Sequence, residues 1–106
     1  MPEIRQYAIR LHGGPEGPGR PLRAQIHLFD NDNRLAGVVD FYDANQRLPE
    51  DTKEELIRMA LPASQLHATV DMLRNEGPIY LEWQSKLGNA YLATSQEPVG
   101  EGERQG

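Results

Sequence analysis

Residues 22–42 read LRAQIHLFDNDNRLAGVVDFY. In 22–29, Leu22, Ala24, Ile26 and Leu28 alternate with Arg23, Gln25, His27 and Phe29. That is the two-residue period of a strand with one apolar face. In 34–42, Leu35, Val39 and Phe41 share a face with Gly37. DNDN at 30–33 joins the two. Asp and Asn bond their own main chain and accept left-handed backbone, so the segment reads as a tight turn and the whole as an antiparallel hairpin. A calcium loop is excluded. Counted from Asp30, Arg34 holds the fifth position, Leu35 the sixth and Phe41 the twelfth, where an EF-hand needs oxygen, Gly and Glu.

Upstream, residues 4–12 (IRQYAIRLH) alternate again. Tyr7, Ile9 and Leu11 form the apolar face; Gln6, Arg10 and His12 form the polar one. Between this strand and the hairpin lies HGGPEGPGRP, residues 12–21. A nucleotide-hydrolase phosphate loop needs a Lys and a following helix. This segment has no Lys and leads into a strand, and no βαβ unit is present for a dinucleotide fingerprint. It reads as a long exposed connection, with Arg20 its one cation.

Downstream, LPEDTKEELIRMALP (48–62) predicts a helix. Asp51 serves as N-cap and Glu54 stands three residues on, a capping-box spacing. Leu56, Ile57, Ala60 and Leu61 supply the stripe. Pro62 then kinks this helix or begins a second one. The second stripe is Ala63, Leu66, Val70 and Leu73, stopped by Gly77 and Pro78. Residues 79–87 (IYLEWQSKL) alternate with Ile79, Leu81, Trp83 and Leu87 inward; Gly88-Asn89 signals a turn, and 90–95 (AYLATS) return as the last strand. The expected fold is α+β. It is a two-layer sandwich, β-β-β-α(α)-β-β, in which a mainly antiparallel five-stranded sheet carries a helical layer on one face. Residues 1–95 form a single domain and 96–106 an acidic, disordered tail.

Composition narrows the chemistry. The chain has 106 residues, enough for one domain. It has no cysteine, which excludes disulfides and thiolate-held zinc or iron–sulfur groups. No run is long enough for a membrane helix. The opening MPEIRQYAIR lacks the apolar run of a secretory signal, so a cytoplasmic location is expected. No cofactor and no metal are expected. His12, His27 and His67 have no ligand spacing along the chain, and His67 with Asp71 reads as an ordinary i,i+4 surface pair. Glu54 and Glu55 are explained by the helix macrodipole. No nucleophile has an evident base, so an enzyme is the less favoured class.

One pattern stands out. The predicted strands hold five cations (Arg5, Arg10, Arg23, Arg34, Lys86) against two anions (Asp40, Glu82), although the whole chain is −5. Arg10, His12, Arg23, Gln25, His27, Phe29, Tyr80, Gln84 and Lys86 fall opposite the core stripes. Of these, Arg10, His12, Arg23, His27, Tyr80 and Lys86 are the candidate ligand contacts. The leading reading is a small non-enzymatic binding or protein-interaction module. It acts through the open sheet face, with Phe29, Val38 and Tyr42 near it, or through a strand edge, and self-association as a homodimer is expected. The alternative is single-stranded nucleic-acid binding on a basic, aromatic sheet. A third reading is a small enzyme in which His27 and Glu82 act as an acid–base pair. It requires adjacent strands.

Overall fold

The computed structural model describes residues 2–14, 21–44 and 47–95. In chain order the elements are β1 (Glu3–Ile4), β2 (Gln6–Leu11), β3 (Leu22–Phe29), β4 (Leu35–Tyr42), β5 (Thr52–Lys53) and β6 (Ile57–Pro62). A 3-10 turn (Ala63–Gln65) then runs into α1 (Leu66–Asn75), followed by β7 (Ile79–Gln84) and β8 (Asn89–Thr94). The fold is α+β. Among the described residues no helix is long and apolar enough to cross a membrane. Residues 15–20 of the Gly/Pro-rich connection and the expected tail at 96–106 lie outside the described residues.

The hairpin at 22–42 forms as its alternation demands. Ala24 faces Phe41 and Ile26 faces Val39 on antiparallel β3 and β4. Its turn is closed by Asp30, whose N–H donates to Arg34 O at 2.9 Å and whose Oδ1 accepts from the N–H groups of Asp32 and Arg34 at 2.9 and 3.0 Å. Asn33 takes the left-handed position at φ 61°. β2 adds to β3 antiparallel, Ile9 facing Ile26. Ile26, Leu28, Val39 and Phe41 are buried completely and form the centre of the core.

Two features depart from the sequence expectation. First, the strands divide into a mixed five-stranded sheet, β2-β3-β4-β6-β5, and a three-stranded sheet, β1-β7-β8. The hairpin β7–β8 therefore packs onto β2–β4 and does not extend them. Gly37 shows how close that packing is: a Cβ there would lie 2.5 Å from Leu81 Cδ2 of β7, as well as 2.9 Å from Ile57 O of the neighbouring strand. The chain passes between the sheets at Arg5, whose N–H donates to Phe29 O at 2.9 Å just after β1 pairs with β7.

Second, residues 51–61 are not a helix. They form β5, a turn and β6, and β6 runs parallel to β4 with Val39 facing Met59. The same apolar residues satisfy two periods. Leu56, Ile57, Ala60 and Leu61 make a helical stripe, while Ile57, Met59 and Leu61 make a strand. The exposed edge of β4 decides between them, because pairing there buries Ile57 and packs Met59 and Leu61 against the core. Asp51 is no helix cap. Its Oδ1 accepts from Ala60 N–H and its Oδ2 from Ala90 N–H, both at 2.8 Å, so one carboxylate ties β6 to β8 across the two sheets.

Pro62 neither kinks a helix nor starts one. It ends β6, and its extended backbone (φ −69°, ψ 150°) precedes the 3-10 turn. The second predicted helix is present, and Leu66, Val70, Met72 and Leu73 pack against the core. The core face of the five-stranded sheet is thus covered by a helix together with a second sheet.

Candidate functional site

Two regions compete for function: the outer face of the five-stranded sheet and its outer edge at β2. On the face, alternation sends Gln25, Asp40 and Arg58 away from the core. Register aligns Arg10 with Gln25, Gln25 with Asp40, and Val38 with Arg58. The side chains complete one another. Gln25 Nε2 donates to Asp40 Oδ1 at 2.8 Å, and Arg58 donates to Asp40 Oδ2 at 2.9 Å. His12 Nε2 lies 3.3 Å from Gln25 Oε1. Arg23 is drawn off to Asp43 at 3.5 Å and to Gly14 O at 3.1 Å.

This face is not the flat open platform that alternation suggests. Val38, Asp40 and Asp43 are buried. A recess of about 230 Å³ lies over β4, lined among others by Asp40, Tyr42, Glu50, Thr52 and Arg58. Burial pushes the Tyr42 phenol above its ordinary 10.0, the Asp40 carboxylate adds to that, and the Arg58 guanidinium opposes it. On this face Arg58 is paired with Asp40 and Arg23 with Asp43, while among the described residues Arg10 has no ion-pair partner and Arg23 Nη1 and Asp43 Oδ2 make no hydrogen bond. Asp40 uses two of its roughly four acceptor sites and is buried, and that burial restricts a ligand's access to the rest.

The six residues picked from the sequence are not brought together. Arg10, His12, Arg23 and His27 lie on the outer side of the β2–β3 pair. Tyr80 is on β7, facing Glu3, and Lys86 is in the turn between β7 and β8. They belong to the other sheet. The acid–base pair fails the same way. His27 lies between the buried Ile26 and Leu28, so it points out of the five-stranded sheet. Glu82 follows the buried Leu81 and points out of the three-stranded one, where it accepts from Tyr91 OH at 3.2 Å. The core separates them. That bond to Glu82 holds the Tyr91 phenol above its ordinary value. No group of three metal-binding side chains occurs among the described residues.

The edge is different. The sequence placed Ile9 and Leu11 in the core with Tyr7. They lie on the core side, but β2 runs beyond the layer that covers it: Ile9 is 43% exposed and Leu11 71%. Alternation cannot reveal this, since an apolar face looks the same whether or not something covers it. The ladder to β3 fixes which backbone groups point outward. His12 N–H donates to Arg23 O at 2.9 Å. In an antiparallel pair the groups facing one neighbour come from alternate residues. Gln6, Ala8 and Arg10 therefore face β3, and the N–H and C=O groups of Tyr7, Ile9 and Leu11 face outward. β2 has one strand neighbour among the described residues.

The chain matches no family model, no curated protein and no solved structure.

Proposed function

We infer that this protein is a small non-enzymatic interaction module that takes up an extended segment of a protein partner along the outer edge of β2. The observation that carries this is the coincidence of outward backbone groups and exposed apolar side chains at Ile9 and Leu11. Strand addition uses both: main-chain hydrogen bonds give affinity, and alternate side chains give selectivity. Natural edges are commonly blunted by Pro, Lys, bulges or shortness. QYAIRL has no Pro and no Lys and is six residues long.

The outer face supports binding less well. Two of its cations, Arg23 and Arg58, are engaged by Asp43 and Asp40. Tyr80 and Lys86 stand on the other sheet, so a nucleic-acid platform loses one aromatic and one cation of the set read from the sequence. Salt-sensitive oligonucleotide binding centred on Arg10 and Arg23 would favour that alternative.

The test is an amide chemical-shift titration of the labelled protein with a short alternating Thr-Val peptide, which has strand backbone but little side-chain identity. Shifts should concentrate at Tyr7, Ile9 and Leu11. They should vanish in Ile9→Pro, which removes an outward N–H and leaves the β3 ladder complete. Shifts confined to Gln25, Asp40 and Arg58 would sink the edge reading in favour of the face.

A further inference from the structure

We propose that the segment taken up along β2 is β2 of a second copy of this chain, antiparallel, with Ile9 on the two-fold axis. This rests on the edge reading above and names its partner. The case is one of self-complementarity. An axis at Ile9 sets Ile9 opposite Ile9 and Tyr7 opposite Leu11 of the second copy. All three are the residues whose N–H and C=O groups point outward, so each facing pair exchanges both of its hydrogen bonds. On the core side the facing strand residues are Ile9 against Ile9 and Tyr7 against Leu11. On the outer side Arg10 faces Ala8 and Gln6 faces His12, so no like charges are opposed.

Neighbouring registers are worse. An axis at Arg10 sets two guanidinium groups side by side. An axis at Ala8 sets Arg5 opposite Leu11. The shape at the Tyr7 end agrees with the Ile9 register. Tyr7 borders a groove of about 200 Å³ shared with Leu73, Glu76 and Pro78. Leu11 of the second copy, 71% exposed in the single chain, comes down at its mouth. Charge does not stand in the way. Two chains of net −5 repel at long range, but β2 itself carries one charge, the cation Arg10.

The absence of cysteine makes the register directly testable. In Ile9→Cys the facing Cα atoms stand about 5.5 Å apart, inside the roughly 4.4–6.8 Å span a disulfide needs. Under mild oxidation Ile9→Cys should give covalent dimer about tenfold faster than Tyr7→Cys or Leu11→Cys alone, because only the residue on the axis meets its own copy at disulfide distance. An equimolar mixture of Tyr7→Cys and Leu11→Cys should recover the fast rate as a mixed dimer. Sedimentation of the unmodified chain should show a reversible dimer that Ile9→Pro abolishes. Equal rates for all three cysteine variants, or a wild-type chain that stays monomeric at every concentration, would overturn the proposal. The Thr-Val peptide then separates the two levels. Peptide shifts at Tyr7, Ile9 and Leu11 in a chain that stays monomeric remove self-pairing alone. No shifts there remove the edge reading with it.

Discussion

At one edge of the five-stranded sheet, β5 contributes two residues, Thr52 and Lys53, followed by Glu54 and Glu55. At the other, β2 contributes six, one of them charged. Beyond the end of β5 the exposed side of β6 is not left bare either: Asp51 accepts the Ala60 N–H. Short length, charge and a carboxylate cap are the usual ways of keeping a sheet from growing. All are present on the β5 side, and the β2 side has none of them apart from Arg10. The edge reading rests on this difference between a guarded and an unguarded edge.

The strongest way to probe that contrast is a pair of proline substitutions one residue apart. Ala8→Pro removes a donor from the β2–β3 ladder, leaves a carbonyl of β3 without its partner and forces a ring against it. Destabilisation on the order of 3 kcal/mol is expected, read as a lower urea midpoint. Ile9→Pro removes an outward donor only, and its midpoint should move by less than about 1 kcal/mol. Equal losses at both positions would mean that the outward side of β2 is already engaged within the single chain.

A smaller effect, on the guarded side, comes from Asp51→Ala. It strips the acceptor from two strand N–H groups in different sheets. Hydrogen bonds to charged groups contribute about 1.5–3 kcal/mol each when well formed. With Asp51 partly exposed, a total loss of roughly 2–4 kcal/mol is expected. The same change bares the β6 edge at Ala60. If the contrast between edges is real, Asp51→Ala should acquire a further mode of association, visible in sedimentation as species larger than those of the wild type. A destabilised variant with unchanged association would show that Asp51 joins the sheets without guarding an edge.

The sequence made the 22–42 hairpin, the β2 alternation, the 66–75 helix and the α+β class legible, because each rests on a period long enough to be unambiguous. The segment 48–62 was not legible, for a physical reason. Its apolar residues fit periods of 3.6 and of 2, and the carboxylate that looks like a helix cap is a strand clamp. Only the vacant side of β4, a tertiary fact, decides. Likewise, parity correctly gave the outward direction of Arg10, His12, Arg23 and His27, but it could not assign strands to sheets. Tyr80 and Lys86 therefore joined a face they do not share. Exposure at Ile9 and Leu11 was hidden for the same reason: strand pattern tells direction and not what lies opposite.

The smallest expected effect concerns the face between the two edges, where Asp40 is held by Gln25 and Arg58. Tyr42 reports on that arrangement. Burial raises its pKa above 10.0, with Asp40 reinforcing and Arg58 opposing. An acid whose folded pKa is raised binds its proton more tightly when folded. Its contribution to stability is therefore complete below pH 10 and is lost as pH rises through the folded value. Phenolate absorbance should show two tyrosines of the wild type, Tyr42 and Tyr91, ionising later than free tyrosine, and Tyr42→Phe should lose one of them. In Asp40→Asn the reinforcing charge is gone and Arg58 is released from its partner, so the Tyr42 phenol should ionise earlier than in the wild type, while burial keeps part of the shift. If Asp40→Asn leaves the titration where it was, burial alone sets the tyrosine. The Asp40–Arg58 pair is then too well screened to close the face against a ligand, and the preference for edge over face weakens accordingly.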